Sequence, residues 1–174
     1  MTSRQITIVN PLGLHARGHY QKVLDVEACE IAFAGADALV ASVRALARAH
    51  GLTPWDVRTH TGLLRHLVLR RSWATGEILA DLVTRAASPE TVEPFAAELL
   101  ARHPELTTFV QHVNERPATI AVGELVRVFR GTGRIEERLD GLSYSISAES
   151  FFQTNTPQAE VLARLVREWS AVAP

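Results

Sequence analysis

The sequence predicts an α+β domain in which a largely antiparallel sheet is covered by two helices. Short alternating apolar segments recur between turn-forming residues, and two longer stretches carry apolar residues at helical spacing. Asp140-Gly141 separates two of the short segments, and a tight type I′ hairpin needs positive φ at both of those positions. Taking the elements in order, residues 4–9 alternate around Ile6 and Ile8 and read as a strand, broken by Asn10-Pro11-Leu12-Gly13. Val23–Val26 reads as a second short strand leading to Cys29. From Ala36 to His50, Leu39, Val40, Val43, Leu46 and Ala47 follow helical spacing, with Gly51 where a C-cap belongs.

Leu63–Arg70 and Ile78–Thr84 read as strands joined by a turn at Ala74-Thr75-Gly76. Ser88-Pro89-Glu90 opens a helix, with the hydroxyl at the cap and proline first, running to about Arg102 before Pro104. Strands follow at Thr107–Asn114, at Thr119–Val122 with Leu125–Arg130, at Arg134–Leu139 and at Leu142–Ser147. Thr156-Pro157 opens a last helix with Leu162, Leu165, Val166 and Trp169 on one face, a stripe that invites self-association if left uncovered.

At 174 residues the chain has room for one ordinary domain, or one with a short appendage. Its 47% hydrophobic and 21% charged residues fit a folded domain rather than a disordered tail. Eighteen Lys+Arg against nineteen Asp+Glu leave a net charge of −1, so nucleic-acid binding needs a local patch rather than a global field. No apolar run approaches the roughly 18 residues of a membrane span, and the first residues are too short and alternating for a signal peptide. A single cysteine, Cys29, excludes an internal disulfide framework and fits a reducing compartment, so a cytoplasmic protein is expected. Lys22 is the sole lysine; the remaining cations are arginines, whose planar forks suit phosphate and carboxylate.

Gly131-Thr132-Gly133 follows a strand, but Glu136 stands where a dinucleotide fingerprint needs its last glycine, and a strand follows instead of a helix. A hairpin turn is the expectation. His15 and His19 are four apart, yet Gly13 and Gly18 oppose a helix there, and adding Cys29 yields no established ligand pattern. Alternation sets Arg65 on one face of its strand with Leu63 and Leu67, and His66 on the other with Arg70. Two readings stay open for Arg65: a pair with Asp81 or Glu77 across the hairpin, or a contact to RNA phosphate.

The stretch from Ile6 to Arg17, with Gly13-Leu14-His15-Ala16-Arg17, resembles locally the start of the phosphocarrier protein HPr, a likeness that implies phosphorylation of His15. A second resemblance covers most of the chain. Leu12–His19 with Val23–Cys29, Arg58–Arg70, Val110–Asn114, and above all Ile146-Ser-Ala-Glu-Ser-Phe151-Phe152-Gln153-Thr154-Asn155 resemble, in order, the middle region of RNA uracil-5-methyltransferases of the RumA/TrmA type.

That resemblance implies an S-adenosylmethionine-dependent enzyme acting on rRNA or tRNA, in which a uridine leaves its stack and receives a methyl group at C5. It implies that Phe151 stacks on the extruded base and that Gln153 contacts the methyl donor; Arg65 and His66 are the candidate RNA contacts by residue type. Cys29 matches one of four cysteines that hold an iron–sulfur cluster in many members; alone it cannot hold one, which leaves a relic ligand or a buried small residue. Asn155 reads as a cap for the last helix or as a pocket residue, the cap being favoured.

The expected organisation is a central, substrate-positioning domain over 1–155 and the leading helix, 156–174, of a Rossmann-like methyltransferase domain that is otherwise missing. Such a chain would be inactive alone, lacking nucleophile and donor domain. RNA is the expected partner, with neither DNA nor membrane. The alternatives are the His15 phosphocarrier and a non-catalytic RNA-binding domain.

Overall fold

The structure, a computed structural model, describes residues 11–86, 89–117 and 120–170, apart from the side chains of Tyr20 and Pro89. Its elements are β1 (Gly13–Ala16), β2 (His19–Asp25), α1 (Ala36–Ala49), β3 (Leu64–Arg71), β4 (Ile78–Thr84), α2 (Pro89–Arg102), β5 (Leu106–Val113), β6 (Glu124–Arg130), β7 (Arg134–Leu139), β8 (Leu142–Ser147) and α3 (Thr156–Ser170). The expected strand over 4–9 and the hydroxyl cap at Ser88 lie outside the described residues, as does Thr119; Ile120–Val122 are not in a strand.

The α+β class holds and the pairing is largely antiparallel, but the strands are divided among three sheets rather than joined in one. A four-stranded sheet of order β3-β4-β5-β6 stands beside two separate hairpins, β1–β2 and β7–β8. Its central pair, β4 and β5, is parallel, and α2 is the crossover between them. Parallel neighbours cannot be joined by a tight turn, so a helix has to carry the chain back across the sheet.

Alternation along β4 explains the layers. Ile78, Ala80 and Leu82 face α1 and α2, where they join Leu39, Val43, Val92, Phe95 and Phe109 in the main core. Leu79 faces the other way, meeting Val110 and the hairpin residues Ile135 and Ile146. Covered on both sides, β4 is buried along its whole length. The two helices thus share one face, and the hairpin β7–β8 occupies part of the other.

Local signals act largely as read. Gly51 takes φ +65° after α1 while Leu52 N–H donates to Ala47 O at 2.8 Å, closing the helix. Asp140 and Gly141 have φ of 51° and 80° and close β7–β8, where Leu139 pairs with Leu142. The unforeseen strand is β1. Gly13 looks like a breaker, yet a Cβ there would stand 2.0 Å from Leu24 O, so its role is to let two strands approach closely. Gly131–Gly133 is a turn, as expected, but joins β6 to a separate hairpin rather than to a paired neighbour, because β6 pairs with β5 and β7 with β8.

One buried carboxylate reaches the β3–β4 turn of the sheet, the hairpin and the start of α3 together. Glu137, 2% exposed on β7, accepts from Trp73 N at 2.7 Å, Ala74 N at 2.9 Å, Arg138 N at 2.9 Å, Ser72 Oγ at 3.2 Å and Thr156 Oγ1 at 3.1 Å. Burial pushes its pKa up, but the backbone donors of Trp73, Ala74 and Arg138, with the Thr156 hydroxyl, outweigh burial and hold it below the ordinary value. Replacing Glu137 by Ala is expected to cost about 3 kcal/mol or more, because several buried donors lose their acceptor together. Since the folded pKa is depressed, the contribution is complete above the unfolded carboxyl value of about 4.3 and is lost as pH falls below it. Urea denaturation of wild type and Glu137→Ala at pH 7 and pH 3 checks both: the gap between them should shrink in acid.

Candidate functional site

A cleft of about 1270 Å³ follows the second half of edge strand β3, from Leu67 to Trp73. Its other walls are the β1–β2 hairpin, the loop from Cys29 into α1, and the segment Phe151–Pro157. Arg44 on α1 fixes the hairpin wall: its Nε pairs with Asp25 at 2.8 Å and its Nη2 donates to Leu12 O and Val26 O. The opposite segment is fixed from α3. Thr156 is buried against Glu137, and Asn155 Oδ1 accepts from Gln158 N–H at 3.2 Å, so Asn155 caps the helix.

Phe151, Gln153, Cys29 and Asn155, all candidates from the sequence, line this cleft. Phe151 is 87% exposed and lines the cleft, and Gln153 stands exposed beside it. Both also border a smaller, largely apolar concavity of about 300 Å³ against Tyr144, Ala159 and Leu162. Cys29 lines the cleft half-buried, its N–H donating to Asp37 Oδ1 at 3.1 Å, so it is not the buried apolar residue offered as one reading. Among the described residues no group of three or more His, Cys, Asp or Glu is placed to hold a metal ion.

Arg65 and His66 lie at the other end of β3. Arg65 pairs neither with Asp81 nor with Glu77. Its Nη1 donates to Asn114 O and Arg116 O, both at 2.6 Å, and its guanidinium lies 5.2 Å from the Trp55 ring centre. Arg85 approaches the same ring at 4.7 Å and donates to His60 O. Exposed Arg58 and Arg116 complete a basic end to the sheet. Asp81 is taken by His112, whose Nδ1 donates to Asp81 Oδ1 at 2.9 Å in the interior.

His66 and His112 are driven apart electrostatically. Burial lowers the pKa of His66, and the charges of Arg65 and His15 add to that against the weaker pull of Asp81. The hydrogen bond to Asp81 raises the pKa of His112 more than burial depresses it, and Glu149 contributes in the same direction. His15 stands exposed on β1, where the chain turns at Gly18 into β2 rather than entering a helix. Sequence reasoning missed Asp81–His112, Trp55, Trp73 and Glu137. Only Asp81 carries a local signal, a carboxylate inside the otherwise apolar run Ile78–Val83.

No model of a known protein family matches the chain. It is 38% identical over 152 residues to an uncharacterized RNA methyltransferase of Chlorobaculum tepidum, covering 87% of this chain and 32% of that protein. It is 34% identical over 165 residues to an uncharacterized RNA methyltransferase of Gloeobacter violaceus, covering 90% of this chain and 36% of the relative. In structure it matches a Pyrococcus abyssi tRNA (uracil-54, C5)-methyltransferase, solved in complex with S-adenosyl-L-homocysteine, with a TM-score of 0.72 at 26% identity over 86% of this chain and 36% of that one. The chain therefore spans about a third of the length of these relatives.

In sequence the chain is thus similar to a third of the length of proteins named RNA methyltransferases. The structural likeness to the tRNA (uracil-54, C5)-methyltransferase supports kinship with an RNA uracil-5-methyltransferase-type family. No helix among the described residues is long and apolar enough to cross a membrane.

The electrostatic split is open to measurement. In an NMR titration of the histidine ring protons, His112 should titrate above the ordinary imidazole value of about 6.5 and His66 below it. In Asp81→Asn the His112 midpoint should fall. Equal midpoints for the two rings in the wild type would contradict the assignment.

Proposed function

We propose that this chain forms the RNA-facing part of an S-adenosylmethionine-dependent RNA methyltransferase acting at uracil C5 in rRNA or tRNA. The observation that carries the reading is Phe151, an aromatic left 87% exposed on a cleft while the residues just after it are locked to the core through Thr156 and Glu137. A rigidly based, solvent-facing ring is what an extruded base requires, because stacking on it offsets part of the unstacking cost. In this reading S-adenosylmethionine supplies the methyl group. Gln153 fits a contact to it, its amide exposed on the same cleft and able to donate and accept at once.

RNA leaves the cleft, in this proposal, along β3 toward Arg65 and His66. Arg65 holds the segment that bears exposed Arg116, so its effect on phosphate is exerted partly through that neighbour. Cys29 keeps the position of a cluster ligand without the partners a cluster needs. The exposed stripe of Leu162, Val166 and Trp169 on α3 is proposed as a self-association face.

Binding of a labelled, uridine-containing stem-loop RNA tests the central claim. Phe151→Ala should weaken binding about ten-fold at unchanged melting temperature, since the ring is exposed and stacking is worth about 1–3 kcal/mol per base. Arg58→Ala should reduce the slope of log affinity against log salt by about one. A wild-type titration that stays flat would overturn the proposal. For the α3 stripe, the sedimentation coefficient should rise with concentration and cease to do so in Trp169→Ser.

A further inference from the structure

We infer that Trp73 is a second stacking platform in the cleft, holding a nucleobase of the RNA strand next to the one that reaches Phe151. Trp73 is 69% exposed and lines the same cleft as Phe151. Isolated exposed aromatics are common, so exposure alone says little. The backbone beneath this one is what sets it apart.

Trp73 begins the turn between β3 and β4, and the backbone N–H groups from Ser72 to Glu77 are all committed. Trp73 N and Ala74 N donate to the two oxygens of Glu137, Thr75 N donates to Ser72 Oγ, and Ser72 N donates to Glu77 O. Thr75 Oγ1 donates to Glu136 O, and Glu136 N donates to Glu77 Oε2, so the turn is also clasped to β7. An indole set on so tightly bound a backbone has little freedom to lose when a base stacks on it.

The same Glu137 oxygen that accepts from Trp73 N also accepts from Thr156 Oγ1, at the foot of the segment carrying Phe151. Both aromatic residues are therefore referenced to one buried atom. Trp73 is held there directly, and Phe151 five residues before the anchored Thr156, so the two rings belong to segments tied at one point beside a shared cleft.

Charge identifies the occupant. Arg70 and Arg71 line the same cleft as Trp73, separated from it in sequence by Ser72. Arg71 is exposed, and Arg70 keeps a buried Nε with no hydrogen-bond partner among the described residues. A cleft that carries an exposed indole and two arginines suits a nucleotide, with its π-face and its phosphate, better than an apolar peptide. The inference rests on the RNA-facing reading given above and adds to it a base-binding position that the Phe-Phe-Gln element does not contain.

The full chain, titrated with a fluorescently labelled single-stranded uridine-rich oligonucleotide and followed by anisotropy, tests this. Trp73→Ala should weaken binding about ten-fold or more, while Trp73→Phe, which keeps a flat ring, should stay within about three-fold of wild type. Inorganic polyphosphate, which has charge but no bases, should bind Trp73→Ala and wild type alike. If Trp73→Ala binds the oligonucleotide normally while Phe151→Ala does not, the second platform is refuted and the cleft reading survives. Equal losses for oligonucleotide and polyphosphate, or a change in sedimentation without a change in RNA affinity, also refute it. No RNA binding by the wild type removes both readings.

Discussion

The arrangement of this protein depends on a single buried carboxylate. Glu137 sits where the β3–β4 turn, the β7–β8 hairpin and the start of α3 converge, and it satisfies donors from all three. An acid in that position would be expensive if its donors were absent, because burial disfavours the charged form. With several N–H and O–H groups aimed at it, the charge becomes the most specific contact available, since no hydrophobic side chain could fix three segments in register at once. The hairpin contributes only Ile135, Ile146 and their neighbours to a small second core, so apolar burial alone leaves this junction weakly determined.

Much of the fold was legible because it rests on local rules. Helix α1 with Gly51, the Asp140-Gly141 hairpin and the start of α3 each follow from a few adjacent residues whose backbone preferences agree with their patterning. Pairing between strands was not legible in the same way. The order strand, helix, strand in β4, α2 and β5 is the pattern of a parallel crossover unit, and the continuous apolar run of β4 is that of a strand covered on both faces. The expectation of a largely antiparallel sheet did not include that parallel pair. Gly13 shows a second limit: a glycine needed for close strand approach looks, in sequence, like one needed for a turn.

The candidate site residues divide along the same line. Phe151 and Gln153 were found through a contiguous motif, and the structure leaves both exposed on a cleft. Arg65 was found through its residue type, yet its neighbours could not be, since Asn114, Arg116 and Trp55 are brought to it by the sheet and by a loop. Glu137 is one of two adjacent glutamates in Arg134–Leu139, and nothing in that run distinguishes it from Glu136. Only the strand's alternation, which turns one inward and the other out, gives them different roles.

A net charge of −1 does not by itself favour the anionic partner proposed above, and the layout of the fold resolves this. Acidic residues on α2 are used locally: Glu93 pairs with Arg127, and Glu98 with Arg102 and His50. That helix covers the face of the sheet opposite the β7–β8 hairpin, so its charges are largely neutralised there. Arg70 and Arg71 instead flank the cleft, and Arg58, Arg65, Arg85 and Arg116 gather at the far end of β3. With a Debye length of about 8 Å at physiological salt, a strand lying along β3 responds to these arginines far more than to paired acids across the sheet. Net charge averages over a distance that solvent does not transmit, which is why composition excluded a global field and left a local one open.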